Sequence, residues 1–324
     1  MAEIKFIDLF CGIGGFRHAL DSINTRCVFS SDIDPDARFS YAQNWGEEPS
    51  GDIAQIEAQA IPEHDVLCGG FPCQPFSISG NQGGFEDARG TLLHEILRIA
   101  RYHQPRVLFL ENVKNFLGHA DGKTLSTTLR LLNRAGYNVK FSLLNASYYG
   151  VAQKRERVYF VAFRKDLGIT TFRFPEPTNE DCAVEDILLT KNDSRLDDLV
   201  IERSDLRLKE KLPNERENRP LRIGTVGKGG QGERVYSPKG HAITLSAFGG
   251  GIGAKTGMYL IDNRIRRLHP EECRRLMGFP EGFQLHKRPN VSYKQFGNSV
   301  AVPVVREVFK SIEQALETQS LQAA

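Results

Sequence analysis

The chain lacks the features that would make it a membrane, secreted or zinc-binding protein. None of its apolar runs is long enough to span a bilayer. Its first residues have no signal-peptide core and lead directly into a strand. Its six cysteines form no C-x-x-C pair, so we expect reduced thiols and no zinc site. We therefore predict a cytoplasmic protein that binds neither a membrane nor a metal.

The chain also has little net charge, +2, but that charge is unevenly distributed. Residues 221–294 contain 13 Lys and Arg against 5 Asp and Glu, whereas the remaining residues contain 29 against 35. A basic segment on a slightly acidic body indicates a surface for a polyanion. A solvated basic face without a partner would give the same charge pattern, and charge alone does not separate the two.

A glycine-rich turn at residues 12–15 separates the first predicted strand from a helix. Such a turn lets a ligand approach the backbone closely. It departs from the dinucleotide fingerprint G-x-G-x-x-G, because Arg17 stands in the place of the third glycine. Asp32 lies 20 residues beyond Gly12, where it is suited to hydrogen-bond ribose hydroxyls. These features favour a nucleoside, and Asp52 is either a further contact to it or a helix cap.

A single thiol stands in a proline-stiffened turn. Cys73 lies between Pro72 and Pro75, after two glycines and the apolar run 66–68, which predicts a buried strand. In a mostly parallel sheet, ligands bind at the carboxyl ends of strands, so Cys73 has the setting of a nucleophile. A buried structural cysteine is the alternative that this stretch leaves open.

Three charged residues follow or precede other predicted strands. Glu111 stands at the carboxyl end of the apolar strand 106–110, as a catalytic acid or, more simply, as a helix cap. Arg155 and Arg157 precede the strand 158–163 and would point the same way if that strand has already begun. They would then meet a base or a phosphate, or pair with acids on a surface.

Residues 224–257 contain 11 of the 30 glycines and several short alternating apolar runs. This composition predicts twisted strands and irregular loops with little core. Lys228, Arg234, Lys239 and Lys255 face few acidic residues, and basic glycine-rich loops suit close approach to a phosphate backbone and a groove. A flexible linker is the alternative, against which the strand-like runs argue.

Five sequence blocks occur in a fixed order along the chain. They are DLFCGIGG at 8–15, GFPCQPFS at 70–77, ENV at 111–113, QKRER at 153–157 and QFGNS at 295–299. With these blocks the chain resembles the DNA (cytosine-5) methyltransferases over almost its whole length. The resemblance implies an α/β fold, with a mostly parallel doubly wound sheet and a smaller glycine-rich target-recognition domain. The implied domains are a catalytic and cofactor-binding domain at 1–186, a recognition domain at 187–270 and a return segment at 271–324 that completes the first.

The resemblance also implies a mechanism. Cys73 would add to C6 of a flipped-out cytosine, which makes C5 nucleophilic. Glu111 would protonate N3, which requires its pKa to be raised. Arg157 would bind the cytosine O2, and Arg155 would support the pocket or the thiolate. After methyl transfer a base, for which we suggest bound water, would remove the C5 proton.

The same resemblance assigns binding residues for S-adenosylmethionine and for double-stranded DNA. The implied cofactor contacts are Phe10, Gly12, Ile13, Gly14, Gly15, Asp32, Ile33, Asp52, Ile53, Pro72, Leu92 and Asn298. The implied DNA contacts are Ser79, Lys228, Gln231, Arg234, Thr244, Phe248 and Lys255. Two places depart from the similar family member. Asp32-Ile33 stands where it has a Glu-Trp pair, which removes an aromatic face for adenine, and Phe248 replaces a tyrosine.

Segments 227–234 and 244–251 resemble the recognition region of family members that methylate the first cytosine of GCGC. We therefore expect a monomeric modification enzyme of a restriction-modification system, whose endonuclease it does not contact. Three other classes compete with this interpretation. A nicotinamide oxidoreductase is disfavoured by the broken fingerprint, and a non-catalytic DNA-binding module by Cys73 and Glu111. A tRNA methyltransferase is the nearest competitor, against which the long glycine-rich segment favours DNA.

Overall fold

The computed structural model describes residues 3–21, 24–71 and 92–323. Contacts divide the chain into two compact units, each assembled from separate stretches. The first unit consists of Met1–Leu144, Glu156–Glu176 and Val305–Ala324. The second unit consists of Asn145–Arg155 and Pro177–Val304.

A six-stranded sheet forms the centre of the first unit. Its strands are β1 (Ile4–Leu9), β2 (Thr25–Ser31), β3 (Val66–Gly70), β4 (Val107–Val113), β5 (Tyr137–Asn145) and β6 (Glu156–Arg164). They lie in the order β2-β1-β3-β4-β6-β5. β1 pairs in parallel with β2 and β3, and β3 pairs in parallel with β4. β6 is antiparallel to β4, so the sheet is mixed.

Five helices belong wholly or mainly to the first unit. They are α1 (Gly15–Leu20), α2 (Pro35–Trp45), α3 (Leu92–His103), α4 (Lys123–Arg134) and, at the end of the chain, α7 (Val302–Ala323). Strand and helix side chains share one apolar cluster, which contains Leu67, Leu97, Leu108 and Phe160. The apolar runs of β3 and β4 are completely buried, as expected for strands covered on both faces.

Helix α2 was not predicted from the sequence, although its start carries a recognisable signal. Asp34 is the N-cap residue, and its carboxylate accepts hydrogen bonds from the backbone amides of Asp36 and Ala37. Pro35 occupies the first helical position, where its missing N–H costs nothing. The helix ends at Gly46, whose φ of 72° is the left-handed conformation that glycine adopts easily.

The second unit contains a smaller five-stranded sheet. Its strands are β7 (Arg207–Leu208), β8 (Arg222–Thr225), β9 (Arg234–Tyr236), β10 (Met258–Ile261) and β11 (Arg264–Arg266), in the order β11-β10-β9-β8-β7. A small cluster that includes Ile223, Val235 and Met258 lies on this sheet. Helices α5 (Pro270–Leu276) and α6 (Pro289–Asn298) follow it. The glycine-rich segment is therefore part of a folded unit and not a flexible linker.

Within the described ranges, no helix combines the length and the apolar character that crossing a membrane requires.

Candidate active site

The carboxyl ends of three parallel strands meet at one edge of the larger sheet. Leu9 of β1 is paired with Gly69 of β3, and Gly70 of β3 is paired with Glu111 of β4. The sequence blocks that follow these strands therefore begin side by side. Topology alone produces this grouping, because parallel strands deliver their following loops to the same edge.

The glycine turn after β1 has an unusual backbone. Phe10 has a φ of 55°, which is rare for a bulky residue, and Gly12 and Gly14 have values of 56° and 78°. An added side-chain carbon on Gly14 would collide with the Trp45 ring, so Gly14 is required for packing. Apart from Gly12 itself and its two chain neighbours, no atom of the described residues lies within 4 Å of the same position on Gly12. The backbone at Gly12 is therefore open to a ligand.

Asp32 connects this turn to the end of β2. Its Oδ2 atom accepts a hydrogen bond from the Gly12 amide at 2.7 Å, and its Oδ1 atom accepts one from the Asp34 amide at 2.8 Å. Burial raises the pKa of Asp32, and these two amide hydrogen bonds partly offset the increase. Each carboxylate oxygen has a further lone pair, so Asp32 can also accept from a ligand hydroxyl. Beside it, the apolar side chain of Ile33 is 69% exposed.

Asp52 caps a short helix, as one of its two interpretations predicted. Its Oδ1 atom accepts a hydrogen bond from the Ala54 amide at 3.0 Å, at the start of the 3-10 helix Ile53–Gln55. The Ile53 side chain is buried in the core, and its carbonyl accepts a hydrogen bond from Arg98 at 3.0 Å. Asp52 is only half-buried, which leaves it accessible to a ligand.

Asp8 is a site residue that the sequence interpretation did not single out. It lies within β1, is completely buried, and neither carboxylate oxygen has a hydrogen-bond partner in the described ranges. Burial raises its pKa well above the usual value, and nearby Arg17 offsets this only in part. The signal in the sequence was an acid inside an otherwise apolar strand. Such a group requires a proton or a compensating ligand group.

Glu111 and Arg157 form an ion pair at the end of β4. The Arg157 Nε atom lies 3.0 Å from Glu111 Oε1, and the two side chains are only 14% and 11% exposed. Gly70 leaves room for the carboxylate, since an added side-chain carbon would lie 3.3 Å from Glu111 Oε2. The N-cap residue of the 3-10 helix that follows is Val113. The helix-cap interpretation of Glu111 is therefore wrong.

Asn112 fixes the backbone that leads towards the predicted nucleophile. Its Nδ2 atom donates a hydrogen bond to the Phe71 carbonyl at 2.6 Å, and both groups are buried. Pro72, Cys73 and Ser79 follow Phe71 but lie outside the described residues, so their predicted roles stay predictions. Leu92, another predicted cofactor contact, is the first residue of α3.

Arg155 does not share its surroundings with Arg157. β6 begins only at Glu156, so the condition under which the two arginines would point the same way is not met. Arg155 is 2% exposed and donates to the carbonyls of Leu245 and Gly297 at 3.3 and 3.0 Å, and also to that of Ser299. All of these partners belong to the second unit, whereas Arg157 and Glu111 belong to the first.

The predicted DNA contacts that the structure describes all lie in the second unit. Lys228 and Gln231 are exposed, Arg234 is half-buried at the start of β9, and Phe248 is 81% exposed. The Thr244 hydroxyl donates a hydrogen bond to the Lys154 carbonyl at 2.5 Å.

Lys255 differs from the other predicted DNA contacts. Its φ of 74° is in the left-handed region, and its Nζ atom lies 3.3 Å from the Asn290 carbonyl oxygen. The same ammonium lies 5.9 Å from the centre of the Tyr293 ring. Lys255 therefore already has intramolecular partners on α6, the helix whose last residue is Asn298.

A solved methyltransferase structure shares this architecture. A methyltransferase of Entamoeba histolytica superposes with a TM-score of 0.72, at 17% identity, over 98% of this chain and 99% of its own. At that identity the likeness establishes the fold alone. It is an α/β fold with a mixed sheet, which confirms the α/β class predicted from the sequence.

Sequence comparison defines the family. The model for C-5 cytosine-specific DNA methylases matches residues 4–314. The chain is 50% identical to the Type II methyltransferase M.HhaI of Haemophilus parahaemolyticus, over 98% of this chain and 96% of that protein. It is 39% identical to the Type II methyltransferase M.HpaII of Haemophilus parainfluenzae, over 97% and 90% respectively. The chain belongs to the C-5 cytosine-specific DNA methylase family. The resemblance and the enzyme class predicted from the five blocks are confirmed.

Proposed function

We propose that the protein transfers a methyl group from S-adenosylmethionine to C5 of the first cytosine in GCGC, in double-stranded DNA. The observation that carries this proposal is the buried Glu111–Arg157 pair, which stands beside the strand that leads to Cys73. An acid and an arginine placed together there suit the N3 and O2 atoms of a cytosine ring. The family membership supports the same chemistry.

The chemistry depends on activating a poor nucleophile. The Cys73 thiolate forms a bond to C6, the C5–C6 double bond opens, and the electron pair makes C5 nucleophilic. Glu111, ion-paired with Arg157 in the free protein, would take up a proton from solvent and supply it to N3, so that charge does not accumulate on the ring. Arg157 donates to O2 while its remaining N–H groups keep Glu111 in place, since a guanidinium has five donors. Once C5 has bonded to the methyl group, water, which we propose as the base, removes the C5 proton. The C5–C6 double bond then re-forms, the thiolate leaves C6, and N3 returns its proton to Glu111.

The cofactor side of the site fits a nucleoside. Gly12 leaves open space above its backbone, and the Asp32 carboxylate beside it has free acceptor capacity for ribose hydroxyls. Exposed Ile33 offers an apolar surface to adenine, and the unpartnered Asp8 carboxyl lies in the strand that precedes the turn. When bound, S-adenosylmethionine supplies an electrophilic methyl group. We propose the same role for the other cofactor contacts that the family resemblance implies.

The DNA side of the proposal rests on the basic second unit. A thiol on a loop cannot reach C6 within a stacked duplex, so the target base must be flipped out. Half-buried Arg234, at the start of β9, is proposed to read a guanine, and exposed Lys228 to contact phosphate. We propose that residues 187–270 form the target-recognition domain, with 1–186 and 271–324 as the catalytic domain. The enzyme would act as a cytoplasmic monomer in a restriction-modification system.

Bisulfite sequencing of DNA from cells that express the protein tests the reaction, the base and the site together. We expect protection of the first cytosine in GCGC and of no other cytosine, and no protection with Cys73→Ala. A parallel assay supplies the purified protein with radiolabelled cofactor and either duplex DNA or tRNA. Label transferred to tRNA and not to the duplex would overturn the proposal.

A further inference from the structure

A loop and a helix end in the second unit are held by one buried arginine. We call Thr244–Phe248 the recognition loop, because it contains two of the DNA contacts that the family resemblance predicts, Thr244 and Phe248. We call Gly297–Ser299 the helix end, because it closes α6 and contains Asn298, a proposed cofactor contact. Arg155 donates to the Leu245 carbonyl in the recognition loop and to the carbonyls of both outer residues of the helix end.

The contact between the two segments is close enough to require a glycine. A side-chain carbon added to Gly297 would overlap the backbone of Ser246 and would lie 2.7 Å from Ala247 Cα. Because the atoms in the way are backbone, they cannot move aside as a flexible side chain would. The recognition loop and the helix end therefore pack backbone against backbone at Gly297.

A further hydrogen bond to the recognition loop comes from Gln153, in the same segment Asn145–Arg155 that contains Arg155. The Gln153 side chain is fully buried, and its Oε1 atom accepts from the Leu245 amide at 3.2 Å. Its Nε2 atom lies 3.3 Å from the Met277 sulfur. Leu245 is thus held through both its amide and its carbonyl, which leaves the recognition loop little freedom to move independently of the helix end.

We propose that Arg155 is a positioning residue that couples recognition of the DNA sequence to binding of the cofactor. Its hydrogen bonds join the recognition loop and the helix end into one rigid group. When DNA orders the recognition loop, the helix end is therefore ordered too, and the cofactor has the same effect in the other direction. Binding of the cognate duplex would then strengthen cofactor binding, and linkage requires the reverse effect to be equal. This inference rests on the proposed function and replaces a direct role of Arg155 at the thiolate.

The test measures the affinity of the protein for S-adenosylhomocysteine, by titration calorimetry, without and with a saturating GCGC duplex. For the wild type we expect the duplex to raise the affinity by a factor of about 5–150, the usual range for coupled sites. Arg155→Lys cannot reproduce the three carbonyl contacts, because an ammonium lacks the planar fork of a guanidinium. We expect this variant to bind each ligand alone, but the factor by which the duplex raises cofactor affinity should fall towards one. Gly297→Ala should reduce the same factor, because its added carbon would push the recognition loop and the helix end apart.

Arg274→Lys is the matched control. Arg274 is 3% exposed in the same unit and donates to the Phe279 and Pro280 carbonyls at 2.8 and 2.5 Å, away from the recognition loop. We expect Arg155→Lys and Arg274→Lys both to lower the melting temperature. Arg274→Lys should keep the wild-type factor by which the duplex raises the affinity for S-adenosylhomocysteine. A wild-type factor in Arg155→Lys, or an equal loss in Arg274→Lys, would overturn the inference. A wild-type protein that binds neither ligand would instead refute the proposed function.

Discussion

Arg157 and Glu111 form an ion pair between diagonal positions of two antiparallel strands, with 3.0 Å between Arg157 Nε and Glu111 Oε1. The residue directly opposite Arg157 in the register is Val113, and the residue opposite Glu111 is Tyr159. Side chains in diagonal positions on one face of a sheet can meet when both are long. The pair is mostly shielded from water, so each charge depends on the other. Removing one member changes both the chemistry and the local electrostatics.

Glu111→Gln should slow methyl transfer in single-turnover experiments by about 10²–10⁴-fold, the usual contribution of general acid catalysis. The amide oxygen can still accept from Arg157, so the fold should persist, but the amide cannot supply the proton to N3. Cofactor affinity should change little. A rate within a few-fold of wild type would mean that Glu111 is only structural.

A matched control exists in the second unit. Glu272 is fully buried and pairs with Arg266 through two contacts of 2.7 and 2.8 Å. Glu272→Gln should lower the melting temperature, because it removes one charge from a buried pair. It should change the single-turnover rate of the remaining folded protein much less than Glu111→Gln does.

Cys73→Ala should abolish methylation while DNA binding survives, since the substitution removes only the thiol, which is the proposed nucleophile. A duplex that contains 5-fluorocytosine at the target should trap the wild type as a covalent complex visible on a denaturing gel, because fluorine does not leave as a proton does. Trapping by the alanine variant would exclude Cys73 as the nucleophile.

Arg234→Ala should weaken binding to GCGC by about 1–3 kcal/mol and relax discrimination at one guanine. The residue starts β9 and pairs in register with Thr225, so its guanidinium projects from a fixed strand. Lys228→Ala is the comparison. Loss of an exposed lysine that contacts phosphate should weaken binding to all sequences equally and reduce the slope of affinity against salt by about one. Titrations of GCGC and its single-base variants at two salt concentrations distinguish them. Equal weakening of every variant by Arg234→Ala would make Arg234 a phosphate contact.

His64 should make stability sensitive to acid. Burial lowers its pKa from 6.5 to about 4, so the folded protein disfavours the charged form. Stability is therefore unaffected above pH 6.5 and is lost as the pH falls from 6.5 towards 4, by up to about 3 kcal/mol at 1.36 kcal/mol per pKa unit. In urea titrations at several pH values, His64→Gln should reduce the loss of unfolding free energy between pH 6.5 and 4. An unchanged slope between wild type and variant would contradict this assignment.

Local patterns predicted the strands well, because β3 and β4 are short apolar runs buried on both faces. The 20-residue spacing between Gly12 and Asp32 also corresponds to a real contact, since the two are hydrogen-bonded. The partner of Glu111 could not be predicted, because it depends on the register between β4 and β6. That register is set by tertiary packing and not by either strand alone.

The two arginines show a different limit of sequence interpretation. Alternating positions share a face only within a strand, and β6 begins one residue after Arg155. Strand boundaries predicted from sequence are commonly wrong by one or two residues. Here the start of β6 separates Arg155, which belongs to the second unit, from Arg157, which belongs to the first. Asp8 opens the block at 8–15, but its burial depends on the strands on either side of β1, which the block itself does not specify.

The last helix has a consequence for how the protein is made. Val305, Val308, Phe309 and Ile312 of α7 are buried and belong to the first unit, although the whole second unit precedes them in the chain. Domains generally fold as units while the ribosome extends the chain. The second unit therefore becomes complete first, even though the first unit begins earlier. Until α7 has been synthesised, the first unit lacks these four buried apolar side chains, so its core is completed last.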